Sequence, residues 1–481
     1  MHSAPRIGKL SDTMPRFSRR SFLTASAALV AAPAVRVQAA TPDVDVAIIG
    51  AGAAGIAAAR RIAAAKRSYR LIEASPRIGG RCATDTKTFG VPFDLGAHWI
   101  YNPGSNPLLA AVSRSGLDIT AAPRAQGLRV GPRPARDGEL EAFLAAQVRA
   151  QRALVDAGKG KADVPAQRAL PKDLGVWQPT IEFMFGPYAF GKELGSVSAF
   201  DVARTAERES AAFCRQGYGA VLERLAGDLT VQLSNPVSMI SWVYGQGVTV
   251  ETPRGDLYAR TVILTVSTNV LASDKIEFIP PLPKRQLDAA GKLSLGSLNH
   301  IALDMPGNPL GLQRDDIVFE QANSPRTAAL LANIGGTGLH VVEVGGTFGR
   351  ELAAKGEAAM SDFAAEWVSG AFGTNAKRAI KRSAATRWDA EPFALGAISV
   401  ATPGAADARK TLAGEPLGGR VWFAGEALHE TQWGTVNGAW ESGNRAAEAV
   451  LRKLGALKED GGEKPARRNQ KNSRRRRNED D

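Results

Sequence analysis

The stretch Val44 to Arg81, VDVAIIGAGAAGIAAARRIAAAKRSYRLIEASPRIGGR, constrains this chain more than any other. Val44, Val46, Ala47, Ile48 and Ile49 read as a buried parallel strand. Gly50, Gly52 and Gly55 follow at G-x-G-x-x-G spacing, and Ala53 opens an Ala-rich run to Ala65 that predicts a helix. Tyr69 to Ile72 predicts a second strand, ended by Glu73. Strand, glycine turn, helix, strand and an acid about 20 positions on make a βαβ unit suited to a dinucleotide. Gly50 gives the tight turn, Gly52 leaves bare backbone for a pyrophosphate, and Gly55 lets helix and strand approach. The helix N-terminus then offers unpaired N–H groups to phosphate charge. Glu73, with Ala74 beside it, is placed for ribose hydroxyls.

Pro76-Arg77-Ile78-Gly79-Gly80-Arg81 follows at once. Two more glycines and two arginines suit a second approach to the same pyrophosphate. With this addition the stretch resembles the FAD-binding signature of the flavin amine oxidase family, which includes monoamine oxidases, polyamine oxidases and histone demethylases. The resemblance implies an α/β fold: a two-domain, Rossmann-like FAD-binding architecture with a mixed α+β substrate domain. It implies a cofactor domain from residues 44–102, 215–285 and 385–457, and a substrate domain from 103–214 and 286–384.

Further motifs carry the resemblance along the chain. Phe93-Asp94-Leu95-Gly96-Ala97-His98-Trp99-Ile100 is similar to the segment that runs along the flavin ring, so Gly96, Ala97, His98 and Trp99 are expected at the cofactor. The position of Val237 implies a backbone contact to adenine. Arg387-Trp388 through Pro403-Gly404 resembles the segment beside the isoalloxazine. Val421-Trp422-Phe423-Ala424-Gly425-Glu426 predicts a buried strand ending in Gly-Glu. Trp433-Gly434-Thr435-Val436 leads into a helix predicted to run to Leu454. Its N-terminus would stabilise negative charge on reduced flavin. Gly425, Glu426, Thr435 and Val436 are thus expected at the cofactor.

Three departures matter. The family's Gly-x-x-Asn-Lys reads here Gly296-Ser297-Leu298-Asn299-His300. The family lysine holds a water against flavin N5 and is associated with reaction with oxygen. Imidazole can hold a water and titrates near neutral pH, so His300 points toward a dehydrogenase with another acceptor. Ala397 stands where monoamine oxidases carry the cysteine bonded to flavin, which implies non-covalent FAD. Ile398 and Thr435 replace the paired cage tyrosines. The catalytic candidates are therefore His300, Trp388, Trp433 and Thr435, the two tryptophans as aromatic walls.

The implied reaction is hydride removal from the carbon beside an amine nitrogen, then imine hydrolysis. The expected substrate is a small amine with an apolar or heteroaromatic body, because polyamines would call for acidic cavity residues that the sequence does not place. Ile301 to Asp304, Ile317 to Glu320, Ala328 to Ile334 and Leu339 to Val344 read as strands of an antiparallel sheet, and no individual catalytic residue is evident between residues 301 and 384. The alternatives are an L-amino-acid oxidase, with Arg129 or Arg204 as the carboxylate clamp, a C–C desaturase or protoporphyrinogen-oxidase-like flavoprotein, and a non-enzymatic flavin-stabilised protein.

The ends bear on location and charge. Ser18-Arg19-Arg20-Ser21-Phe22-Leu23 matches a twin-arginine export signal, with cleavage expected after Ala39. This predicts a signal in residues 1–40 and a periplasmic location, with oxygen or a periplasmic carrier as the electron acceptor. Residues 458–481 are charged and predict a disordered tail. Of the net charge of +12, the two ends carry +5 and +3, leaving +4 on the body, which is poor support for nucleic-acid binding. The run Phe22 to Ala34 is too short for a transmembrane helix. Two cysteines cannot make a disulfide scaffold, and five scattered histidines argue against a zinc site. The oligomeric state stays open, a homodimer included.

Overall fold

The structure is a computed structural model and describes residues 41–457, except 124–125, 206–207, 209 and 244–246. The proposed export signal and charged tail lie outside the described residues. Two sheets build the architecture. The larger has the strand order Val231–Gln232, Tyr69–Ile72, Val44–Ile49, Leu257–Leu264, Gly247–Glu251, Met239–Val243 and Glu277–Ile279. Val421–Phe423 adds in parallel beside the end of Leu257–Leu264. Ile49 pairs in parallel with both Ile72 and Leu264, so Val44–Ile49 is central and apolar on both faces. Its two parallel neighbours thus come from separate stretches of chain.

The helix Ala53–Ala64 covers one face of this sheet. It packs against the last helix, Val436–Lys453, through a face of small residues. A Cβ on Gly443 would lie 2.1 Å from the Ala54 carbonyl oxygen, so that crossing needs glycine. Ile48, Ile56 and Ile62 are fully buried around it, each worth about 1.5–3 kcal/mol of apolar burial.

The second sheet has the order Arg382–Ala385, Leu298–Asp304, Leu339–Gly345, Ala329–Leu331, Ile317–Glu320, Gln126–Val130 and Arg133–Pro134. The strands expected from sequence at 301–304, 317–320 and 339–344 are at its centre, while of 328–334 only Ala329–Leu331 is strand. Gln126–Val130 was not expected: it pairs in parallel with Ile317–Glu320 although nearly two hundred residues separate the two strands. Long-range pairing of this kind leaves no local signal. Asp137–Ala157 forms a long helix, and Ser198 caps the helix Ala199–Ala203 by accepting from Asp201 N at 2.9 Å.

Candidate active site

One cavity of about 1330 Å³ runs from the glycine turn to the second sheet. It exceeds the few hundred to about 1,000 Å³ of an ordinary ligand pocket, which leaves room for a dinucleotide and a substrate together. At one end the glycine turn shapes a cradle. Gly50 has φ +101°, and a Cβ on Gly55 would sit 1.8 Å from the Gly50 carbonyl oxygen. No side chain caps the Ala53–Ala64 helix, and its first turn holds no acid, so its leading N–H groups meet an anion unopposed.

Glu73 closes the turn from the neighbouring strand. Its Oε2 accepts from Ala51 N at 2.7 Å and its Oε1 from Ser75 N at 2.8 Å. The carboxylate is nearly buried yet lines the cavity, with lone pairs to spare for hydroxyl donors. Asn235 lines the same end, and its buried Oδ1 has no hydrogen-bond partner. These features fit an adenine nucleotide joined by a pyrophosphate.

The middle of the cavity is held by Glu426. Arg81 donates to its Oε1 at 2.8 Å, while Ser399 Oγ and Gly434 N donate to its Oε2 at 2.6 and 2.8 Å. Burial alone would raise its pKa, but Arg81 and the Ser399 hydrogen bond hold it below the usual value. One carboxylate thus ties the first glycine motif to the last. Thr435 caps the final helix: its Oγ1 accepts from Gly438 N at 3.0 Å and donates to Gln432 O at 2.6 Å. Its hydroxyl is therefore committed to the cap, and the helix presents Thr435, Val436 and Ala439 to the cavity.

Trp388 is fixed by donation from Nε1 to Leu95 O at 2.8 Å. A Cβ on Gly96 would lie 2.9 Å from its ring and 2.2 Å from Arg81 O, which explains the glycine there. Ala397 and Ile398 line the cavity next to it. Cys82, also on the wall, is a buried thiol whose pKa burial, and then Asp94, push well up.

Every expected cofactor residue except Gly55 lines this cavity, from Gly50, Gly52, Ala53, Glu73, Ala74, Gly80 and Arg81 through Gly96, Ala97, His98, Trp99 and Val237 to Gly425, Glu426, Thr435 and Val436. Gly55 acts behind it, at the helix–strand approach. Trp433 is a correction. It is fully buried, outside the cavity lining, and packs on Phe190 and under the Arg409 guanidinium. Its Nε1 donates to Asp201 O at 3.3 Å, and Arg409 pairs with Asp201 at 2.6 Å, both fully buried. Trp433 is core, and Gly434 next to it is the residue that reaches the cavity.

His300 does line the cavity, but both its ring nitrogens are engaged. Nδ1 donates to Asp94 O at 2.9 Å, and Nε2 lies 3.2 Å from Glu343 Oε1. Neither is left to hold a water as the family lysine does. His98 Nε2 approaches the same oxygen at 3.6 Å. Burial lowers the His98 pKa to about 4. For His300 the penalty of burial is outweighed by Glu343, which raises its pKa. Burial would raise Glu343, but His98 and His300 bring it below the usual value.

Glu343 corrects one expectation: residues 301–384 do place an acidic side chain in the cavity. Alternation along Leu339–Gly345 cannot reveal it, because all seven residues are buried. The nominated arginines are corrected too. Arg129 donates to Ala371 O and covers the Phe372 ring, and Arg204 pairs with Asp407. Besides Arg77 and Arg81 at the glycine motif, Arg208 lines the cavity, over the rings of Tyr101 and Trp433, with a buried Nε that has no hydrogen-bond partner.

Residues 53–451 match the family model described as flavin containing amine oxidoreductase. The chain belongs to the flavin-containing amine oxidoreductases. It is 26% identical over 452 residues to lysine-specific histone demethylase 2 of Homo sapiens, covering 84% of this chain and 53% of that one. It is 25% identical over 457 residues to probable polyamine oxidase 4 of Arabidopsis thaliana, covering 86% and 88%. This chain thus spans about half the length of the histone demethylases it matches. Among solved structures, cyclohexylamine oxidase from Brevibacterium oxydans superposes with a TM-score of 0.71 at 22% identity, over 86% of this chain and 100% of that one. Putrescine oxidase bound to putrescine gives 0.70 at 20%, over 85% and 99%. Both likenesses speak for the fold.

Proposed function

We propose that this chain is an FAD-dependent amine dehydrogenase that passes electrons to a periplasmic carrier more readily than to oxygen. The bound flavin supplies a hydride acceptor for the carbon next to an amine nitrogen. The residues of this chain do the rest. The glycine turn, Glu73 and the two helix N-termini would hold the cofactor, with Trp388 and Ala397 lining the same cavity. An apolar wall that includes Trp99, Tyr188 and Phe319 excludes water and favours the neutral amine, the form with a free lone pair. The observation that carries the dehydrogenase reading is that both His300 ring nitrogens are taken by Asp94 O and Glu343.

The Glu343 carboxylate is shared by two histidines, so it is not free for the second ammonium of a polyamine. The reading is therefore a monoamine with an aromatic or heteroaromatic body. Arg208 favours a second reading, in which the substrate also bears a carboxylate that meets the unpartnered Nε. Periplasmic location, by way of the twin arginines at Arg19 and Arg20, and the division into cofactor and substrate domains belong to the same proposal.

Anaerobic titration of the bound flavin with a panel of amines and amino acids tests it. Bleaching by aromatic monoamines supports the first reading; bleaching by amino acids alone, lost in Arg208→Met, supports the second. After reduction, slow reoxidation by oxygen that His300→Lys accelerates is expected. Rapid oxygen turnover by the unmodified protein contradicts the dehydrogenase reading.

A further inference from the structure

Two of the five histidines, far apart in sequence, meet one carboxylate at the cavity wall. His300 and Glu343 are register partners on adjacent antiparallel strands, so their side chains stand on the same face of the sheet. His98 arrives from the segment after Phe93–Asp94, with its ring centroid 5.0 Å from that of His300. All three residues are buried and their donor atoms lie within 4.8 Å of one another.

We infer that His98 Nε2, His300 Nε2 and Glu343 Oε1 are the ligands of a divalent first-row transition-metal ion, of the zinc(II) or iron(II) class.

Four observations carry this. The first is spacing. Ligands about 2.1 Å from a tetrahedral ion stand about 3.4 Å apart, and the two nitrogen–oxygen separations here are 3.2 and 3.6 Å. The second is the orientation of the imidazoles. His300 Nδ1 is bound to the Asp94 carbonyl and the His98 ring is hydrogen-bonded to the Gly96 backbone. Each ring therefore carries its proton on the backbone side and turns Nε2 toward the shared carboxylate. Metal-binding histidines are held in this way by their second nitrogen.

The third is unsatisfied polarity. His98 Nε2 is buried and makes no hydrogen bond, whereas the Glu343 carboxylate has the Tyr188 hydroxyl beside it. A lone pair on His98 Nε2 facing a carboxylate oxygen is repulsive unless a cation lies between them. A proton on His300 Nε2 serves that histidine's own contact and leaves His98 unserved. Buried polar atoms without partners are rare enough that an unseen ion or water is the expected cause. The fourth is donor chemistry: two imidazoles and one carboxylate suit zinc, iron or cobalt and are a poor set for magnesium or calcium. All three residues line the cavity, so a fourth coordination position faces the substrate space.

The test is elemental analysis of the purified holoprotein, followed by chelation and titration with Co²⁺, whose d–d bands lie to the red of flavin absorption. One equivalent of Zn or Fe as purified, and saturable d–d bands at one Co²⁺ per chain, are expected. Glu343→Gln and His98→Asn should weaken Co²⁺ binding about a hundredfold or more, with far-ultraviolet circular dichroism and a cooperative melt reporting that each variant folds. His340→Asn, at a buried histidine outside the cavity lining, should bind Co²⁺ as the unmodified protein does. Absence of metal together with no d–d bands in the unmodified protein overturns the inference. Bands that survive in both ligand variants overturn it equally, since the cobalt then sits elsewhere.

Discussion

Replacing Glu73 by Gln probes the grip on the cofactor with the least change of shape. In the native protein each carboxylate oxygen accepts one backbone N–H, from Ala51 at 2.7 Å and Ser75 at 2.8 Å. Glutamine keeps one acceptor and turns the other into an NH₂ donor. That NH₂ must face one of the two backbone donors, so one N–H at the turn loses its partner. The cost to the fold is about 1–3 kcal/mol, the penalty for an unsatisfied buried donor. The remaining oxygen is also neutral. Hydrogen bonds to a charged acceptor contribute about 1.5–3 kcal/mol, against about 1 for a neutral one. The difference for ribose hydroxyls, added to the displaced turn at the pyrophosphate, predicts a loss of about 1.5–3 kcal/mol in FAD binding. That is a roughly 10- to 150-fold rise in Kd. Titrating flavin-stripped protein with FAD, followed by quenching of flavin fluorescence, measures it. A Kd within twofold of the unmodified protein would refute the assignment of Glu73 to the cofactor, because the substitution removes both charge and an acceptor at the proposed contact.

Other perturbations test separate parts of the account. Arg409→Met leaves the fully buried Asp201 carboxylate without its guanidinium. It should destabilise the protein by about 3–5 kcal/mol, read as a shift in the urea midpoint, with Trp433 fluorescence changing in step. Ala397→Cys places a thiol at the cavity wall where monoamine oxidases bond their flavin; part of the flavin should then stay with the protein after acid precipitation, whereas all of it is released from the unmodified protein. His340 is buried and its pKa falls from 6.5 to about 4 through burial. The unfolded chain therefore binds this proton in a window where the folded protein does not, so stability falls as pH drops from 6.5 to about 4. The total is at most about 3 kcal/mol, and in His340→Asn the urea midpoint should lose that part of its dependence on pH.

The two ends of the cofactor site were legible because their signals are local. Val44 to Glu73 writes strand, turn, helix, strand and acid into thirty residues, and Val421 to Leu454 does the same for the closing strand and helix. The strands Ile317–Glu320 and Leu339–Gly345 were readable from apolar runs alone. The substrate wall was not, because it is assembled by pairings across long stretches of chain. Gln126–Val130 has no meaning until Ile317–Glu320 lies beside it. Glu343 sits in a run that reads as uniformly buried, and only its register with His300 gives it a partner. Trp433 misled for the opposite reason: its neighbours Gly434 and Thr435 do face the cavity, and sequence adjacency cannot tell which side of the chain turns inward. Arg208 escaped because its value lies in two aromatic rings, Tyr101 and Trp433, that come from distant segments.

The central claim is that the turn at Gly50 to Gly55 and the Gly425–Glu426 strand end hold opposite parts of one FAD. The most direct measurement is the visible spectrum of the purified full-length protein, before and after denaturation, with the released cofactor identified by mass. The account predicts flavin bands at close to one equivalent per chain and FAD released intact. Colourless protein whose melting temperature does not move when FAD is added would contradict it.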